Sequence, residues 1–209
     1  MGVGDSTFST VRFSQIATAE ARNLILKESP AVYAWYRSLD LASSTTSERK
    51  FLAAIEILLS AKLSDRFSGR LGYLYEVSVQ EAGGELGERN RGLLERISRD
   101  PRGRLHLASI LQTATYLQAP LYVGKALNLR QRIGEHVTGV SGLLGRLSEA
   151  ALPMESCVLR YRYIDGEDEA ALASAAESGP GESAANDVAL LIEELLTRLS
   201  PSAFVRRPG

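Results

Sequence analysis

The chain has 209 residues, 44% hydrophobic and 23% charged, with a formal net charge of −1 from 24 Lys and Arg against 25 Asp and Glu. This is the composition of an ordinary soluble domain with one core, and near-neutrality argues at face value against a polybasic nucleic-acid binder. One cysteine (Cys157) and two histidines (His106, His136) exclude an internal disulfide and fall short of the about four ligands of a Cys/His site, so no zinc is expected.

The first twelve residues are polar and lack the basic start and apolar run of a signal peptide. The longest apolar stretch, Phe51 to Leu63, is interrupted by Glu56 and Lys62 and falls short of the about 20 residues that span a bilayer. A cytoplasmic protein without membrane contact is expected. Ser14 to Lys27 carries Ile16, Ala19, Leu24 and Ile25 at helical spacing and stops at Glu28-Ser29-Pro30. Ala31 to Tyr36 is aromatic and β-branched, which predicts a strand. A loop at 43–47 leads into a helix over 49–67, with Leu52, Ile55, Leu58, Leu59 and Leu63 on one face. Gly72 to Val79 reads as a strand. Leu86 to Ile97 and Pro101 to Leu117 read as two helices, the second with Pro101 in its first turn.

Beyond Pro120 the pattern predicts a short strand at Leu121 to Gly124 and a helix opened by Asn128, with Gln131 at capping-box spacing. That helix is expected to stop at Gly139. A short helix over 141–150 and an alternating strand over 157–164 follow. Residues 167–186 are rich in Ala, Ser, Glu and Gly and read as part helix, part loop. Asp187 to Leu199 predicts an apolar helix ended by Pro201.

The chemistry concentrates in Leu121 to His136, LYVGKALNLRQRIGEH. On a helix opened by Asn128, Leu129, Arg132, Ile133 and His136 share one stripe. Leu129 and Ile133 should face the core, so Arg132 and His136 point inward or along a cleft. Charged groups there need an anionic partner, and a phosphate is a natural one.

Tyr-Val-Gly, then Lys-Ala, then Asn-Leu, then Arg-x-x-x-His resembles the second half of the GIY-YIG nuclease superfamily, densely over these sixteen residues. Tyr122-Val123-Gly124 stands at YIG, Lys125-Ala126 and Asn128-Leu129 at its usual continuation, and Arg132 at the catalytic arginine. His136 stands at a histidine found in the restriction-enzyme branch. The first half, GIY, matches Ala31-Val32-Tyr33, with alanine in place of glycine. The resemblance implies an α/β (α+β) fold: a small three-stranded antiparallel sheet flanked by helices, in one domain over 1–209. Its core would be about 28–40 and 119–209, with a mostly helical insertion at about 41–118 that separates Tyr33 from Tyr122 by 88 residues. A coincidental YVG would instead leave Tyr33 and Arg132 farther than about 10 Å apart, out of reach of a common phosphate.

The family's third element is a helix with a metal-binding glutamate, followed by Pro-x-x-Asn. Counting back from Pro201 places Ile192 in the glutamate slot and Glu193 one residue off, about 100° around a helix. The asparagine slot holds Phe204. Either the helix is shifted and Glu193 carries the metal, or the metal site is lost.

The resemblance thus implies metal-dependent phosphodiester hydrolysis of DNA, in restriction or phage defence, by an enzyme that is often a homodimer. One Mg²⁺ or Mn²⁺ would neutralise the phosphate. Arg132 would bind the scissile phosphate, Tyr33 or Tyr122 would position or deprotonate the water, and His136 would relay the proton. Lys125, Asn128 and Arg130 would contact the DNA. The alternative is a degenerate domain that binds nucleic acid or a partner protein without cutting. Charge distribution bears on this choice: residues 163–194 hold nine acidic and no basic side chains, so the remainder carries a net +8. Arg89, Arg91, Arg96, Arg99, Arg102 and Arg104 fall within 86–104, and a patch there would follow a phosphate backbone.

Overall fold

The computed structural model describes residues 8–60, 67–71, 75–79, 86–150, 152–164, 166, 190–192, 194 and 195. In chain order its elements are β1 (Ser9–Arg12), α1 (Ala19–Ile25), β2 (Ala31–Arg37), α2 (Glu48–Ser60), β3 (Phe67–Leu71), β4 (Tyr75–Val79), α3 (Glu88–Arg99), α4 (Pro101–Thr113), β5 (Tyr122–Ala126), α5 (Leu129–Val137), α6 (Leu143–Glu149) and β6 (Cys157–Tyr163). The chain divides into two compact units, 1–37 with 119–149 and 153–209, and 38–118 with 150–152.

The first unit is built on a four-stranded antiparallel sheet in the order β1-β6-β2-β5. Three strands were expected; the fourth, β1, comes from the polar stretch Ser9 to Arg12. Only Val11 of that strand is buried, so its apolar pattern is too thin to read. Of the two inner strands, β6 and β2, the latter buries Trp35, Tyr33 and Ala31 to at most 1% exposure. Its register sets Tyr33 between Gly124 and Tyr161, and Trp35 between Tyr122 and Leu159. Side chains alternate across a strand, so Tyr33, Trp35, Tyr122, Gly124, Leu159 and Tyr161 share one face.

The two helices expected near the chemistry form. Asn128 caps α5 by accepting from the Gln131 N–H (3.0 Å), and Leu129, Ile133 and His136 are its buried stripe. Leu143 and Leu147 bury the apolar side of α6. Ahead of β2, the expected helix over 14–27 is shorter: a 3-10 turn at Phe13–Gln15, then α1 capped by Thr18. Ile192 packs on Val32 and Ile164. Val32 alternates with Tyr33, so this contact lies on the other face of the sheet.

The second unit is mixed. Its core joins Leu41, Phe51 and Ile55 to Ala108. The helix expected over 49–67 is described to Ser60, and Phe67 already belongs to β3, which pairs antiparallel with β4 from Phe67↔Val79 to Leu71↔Tyr75. Between α3 and α4, Asp100 caps two N–H groups with Pro101 at the first helical position.

Candidate functional site: a tyrosine, arginine and histidine cluster over Gly124

The register of β2 on β5 brings Tyr33 and Tyr122 to one spot, with ring centroids 6.0 Å apart. Glycine at 124 is what permits this. A Cβ there would lie 2.6 Å from Tyr122 Cε1, 2.7 Å from the Tyr33 hydroxyl oxygen and 2.8 Å from Tyr33 Cζ. Helix α5 then lays His136 and Arg132 over the same spot. Nε2 of His136 is 2.7 Å from the Tyr33 hydroxyl, and Arg132 Nε donates to that hydroxyl at 3.3 Å. Tyr33 and Arg132 are thus in contact, well inside the about 10 Å beyond which they could not share a phosphate. The His136 ring meets Trp35 and Tyr122 edge-on, at 6.5 and 5.2 Å between centroids. Tyr122 also interacts with both Tyr33 and Arg132.

Depth sorts these residues. Tyr33 and His136 are almost wholly buried, while Tyr122 and Arg132 stand half-exposed at the rim. Burial, and then the neighbouring Tyr122, holds the Tyr33 phenol well above its ordinary pKa, and Arg132 opposes that shift. Burial, and then the positive charge of Arg132, drives His136 down to about 3. The expected relay therefore needs correcting in one respect: at neutral pH this imidazole is uncharged and does not hold an extra proton. Burial works against the Arg132 charge, but Glu135 and Tyr33 outweigh it and hold the guanidinium above its usual pKa.

Sequence reasoning missed three residues here. Glu135 takes a 2.7 Å hydrogen bond from Arg132, and this ion pair holds the Glu135 carboxyl below its usual range. The i,i+3 spacing of Arg132 and Glu135 was the available signal. Arg146 of α6 lies 5.8 Å from the Tyr122 ring centroid as a cation–π partner. Ser141 sits 2.5 Å from the second ring nitrogen of His136, and nothing in a Gly-Val-Ser-Gly turn announces that contact.

Other expected site residues lie elsewhere. Lys125 alternates with Gly124, opposite Val32, and so stands on the other sheet face. Arg130 is tied to the Leu26 carbonyl (2.7 Å) and to Glu28 (2.9 Å). Asn128 spends its side-chain oxygen on the helix cap. Within the arginine set of 86–104, Arg104 is buried and donates to the carbonyls of Thr45, Ser98 and Arg99, so it is a staple and no part of a solvent-facing patch. Arg99 lies 3.9 Å from Glu48.

Glu193 and Phe204 lie outside the described residues. Ile192 turns to the sheet face opposite Tyr33. Among the described residues no group of three or more His, Cys, Asp and Glu could hold a metal ion. Among the described residues, Glu135 is the carboxylate at the Tyr33 cluster, and it is paired with Arg132. Among the described residues the donor set does not make a Mg²⁺ or Mn²⁺ site, so no step below is routed through one. No helix among the described residues is long and apolar enough to cross a membrane.

No family model, curated protein or solved structure matches the chain. The likeness to the GIY-YIG pattern rests on the residues alone.

Proposed function

We propose that the chain is an endonuclease of the GIY-YIG type that hydrolyses DNA phosphodiester bonds, as a cytoplasmic restriction or phage-defence enzyme working as a homodimer. One observation carries the reading. Tyr33, Arg132 and His136 meet within 3.3 Å across a separation of about a hundred residues, beside a tyrosine made possible by Gly124. A packed core would not need that set; a phosphate site does.

The chemistry follows from the rim. Arg132 keeps its charge and presents planar donors, so a phosphodiester that displaces Glu135 gains a charge-assisted, fork-shaped contact. The same donors meet charge that develops on the phosphoryl oxygens. Tyr122, half-exposed and in contact with both Tyr33 and Arg132, is the hydroxyl available to an attacking water. Tyr33 is too deeply buried to reach water itself and works through Tyr122.

A second reading has an observation of its own. Ile192 fills the glutamate slot and packs on the far face of the sheet. That favours a domain that binds a phosphate backbone without cutting. Purified protein incubated with supercoiled plasmid and Mg²⁺ or Mn²⁺, with and without EDTA, separates the two. The nuclease reading expects nicking or linearisation that Tyr122→Phe and Arg132→Ala abolish. Retention of DNA without cutting in every arm favours the binding module. Undiminished cutting by Glu193→Ala removes Glu193 from the metal assignment.

A further inference from the structure

The turn after α5 serves one side chain. Gly139 and Gly142 both take left-handed conformations (φ 83° and 72°), which cost a residue with a Cβ about 1 kcal/mol or more. Between them the Ser141 N–H donates back to the Glu135 carbonyl at 3.3 Å. This fold-back sets the Ser141 hydroxyl 2.5 Å from Nδ1 of His136, while the Leu143 N–H donates to the same oxygen from another side at 3.4 Å. His136 is thus held at both ring nitrogens, by Tyr33 at Nε2 and by Ser141 at Nδ1.

We propose that Ser141 is a positioning residue for the hydrolysis, the solvent-side end of a proton wire that runs from Tyr122 through Tyr33 and His136. The inference rests on the nuclease reading of the site. The polarity follows from the charged donor: the Leu143 N–H is neutral, donates to Ser141 at 3.4 Å and leaves that oxygen a lone pair for Nδ1–H. Arg132 Nε can only donate, and it donates to the Tyr33 oxygen. A cationic donor on that oxygen makes the remaining O–H the stronger donor, so Tyr33 gives its proton to Nε2. A neutral imidazole that accepts at Nε2 carries its hydrogen at Nδ1, and Nδ1–H donates to Ser141. Ser141 is half-buried, which leaves its own proton an exit to water.

A terminus is needed because His136 is fully buried beside Arg132, and burial, then that charge, depresses its pKa to about 3. The ring cannot store a proton, so one accepted at Nε2 must leave from Nδ1 in the same event. An attacking water gives its proton to the Tyr122 oxygen, and the Tyr122 proton passes to Tyr33. The Tyr33 proton passes to Nε2, the Nδ1 proton to Ser141, and the Ser141 proton to solvent. One proton enters, one leaves, and no side chain ends charged. The ring is left as the Nε2–H tautomer. The departing oxygen takes its proton from solvent, and a proton that re-enters at Ser141 and leaves from Tyr122 to water after the product departs restores the starting tautomer.

Long-range ¹H–¹⁵N correlation spectra of ¹⁵N-labelled full-length protein read the tautomer directly. The chain has two histidines, and His106→Gln assigns them. The expected result is a pyrrole-type Nδ1 and a pyridine-type Nε2 at His136, with the pattern shifting towards the other tautomer in Ser141→Ala. In cleavage, Ser141→Ala should lower kcat by about ten- to a hundredfold with KM changed by less than about twofold, and Ser141→Thr should restore the rate. An Nε2–H tautomer in the wild type, or an unchanged kcat in Ser141→Ala, overturns the proposal. Wild-type protein that cuts nothing sinks the nuclease reading instead, and the tautomer spectra still decide the polarity of the wire.

Discussion

The Tyr33 hydroxyl and Nε2 of His136 stand 2.7 Å apart in a place almost closed to solvent. Both groups are held in their uncharged forms there, Tyr33 by a raised pKa and His136 by a pKa lowered to about 3. A depressed histidine is a statement about stability. Unfolded, the ring titrates near ~6.5, so below that pH the unfolded chain gains a proton that the native state refuses. The contribution of His136 is therefore complete above pH ~6.5. It falls by about 1.4 kcal/mol per pH unit as pH drops from there towards about 3. Urea unfolding between about pH 7 and about pH 5 should show this slope, and His136→Gln should remove it. Parallel curves for the two proteins would mean that His136 is not held neutral.

Gly124→Ala tests the floor of the site. The added carbon falls 2.6 Å from Tyr122 and 2.7 Å from the Tyr33 hydroxyl oxygen, and both rings are fixed by neighbours. Overpacking of this kind costs about 1–3 kcal/mol. The rings must part, so the 3.3 Å contact between Arg132 and Tyr33 is lost as well. The expected outcome is a lower urea midpoint together with loss of cutting. A variant of normal stability and full activity would show that the tyrosines have slack.

On the proposed reading, Glu135 would compete with phosphate for the Arg132 guanidinium that it now holds at 2.7 Å. Glu135→Gln should tighten binding of a short DNA duplex by about three- to tenfold, since a neutral amide holds Arg132 less firmly and no longer repels the backbone. Stability should change little, because both partners are partly exposed. Glu135 titrates below its usual range because Arg132 donates to it. Acid therefore releases Arg132 only below that lowered pKa, and the affinity difference between the two proteins should hold across neutral pH. Weaker binding by Glu135→Gln would make Glu135 a contributor and not a competitor.

Legibility in the sequence followed how local each signal was. Tyr33, Tyr122, Arg132 and His136 were found because a strand and a helix turn carry them in fixed spacings, and the structure brings all four together. The pairing of β2 with β5 was implied by the family pattern and not by any local rule. Strand β1 was missed because an edge strand with one buried residue shows no alternation. Lys125, Asn128 and Arg130 fall away from the cluster because one residue along a strand changes the face and because a capping or loop-tying role is not legible from residue type. Ser141 needed the φ angles of two glycines to find it.

Arg104 shows how an arginine in a basic run can belong to the core. It is buried, and its guanidinium donates to Thr45 O at 2.8 Å, to Ser98 O at 2.5 Å and to Arg99 O at 3.4 Å. Two of these carbonyls lie at the C-terminal end of α3, where helical carbonyls lack intrahelical partners. Arg104 therefore caps that end from the first turn of α4 and ties both to the loop at Thr45. Arg104→Ala leaves several carbonyls unsatisfied and should cost about 2–3 kcal/mol in urea unfolding. Arg104→Lys should recover part of that, since one ammonium cannot reach all three oxygens at once. DNA affinity at moderate salt should stay within about twofold of wild type, because the charge was never offered to solvent. By contrast, Arg91→Ala removes an exposed charge and should leave stability within about 0.5 kcal/mol of wild type. A large loss of DNA affinity in Arg104→Ala with unchanged stability would return Arg104 to the surface.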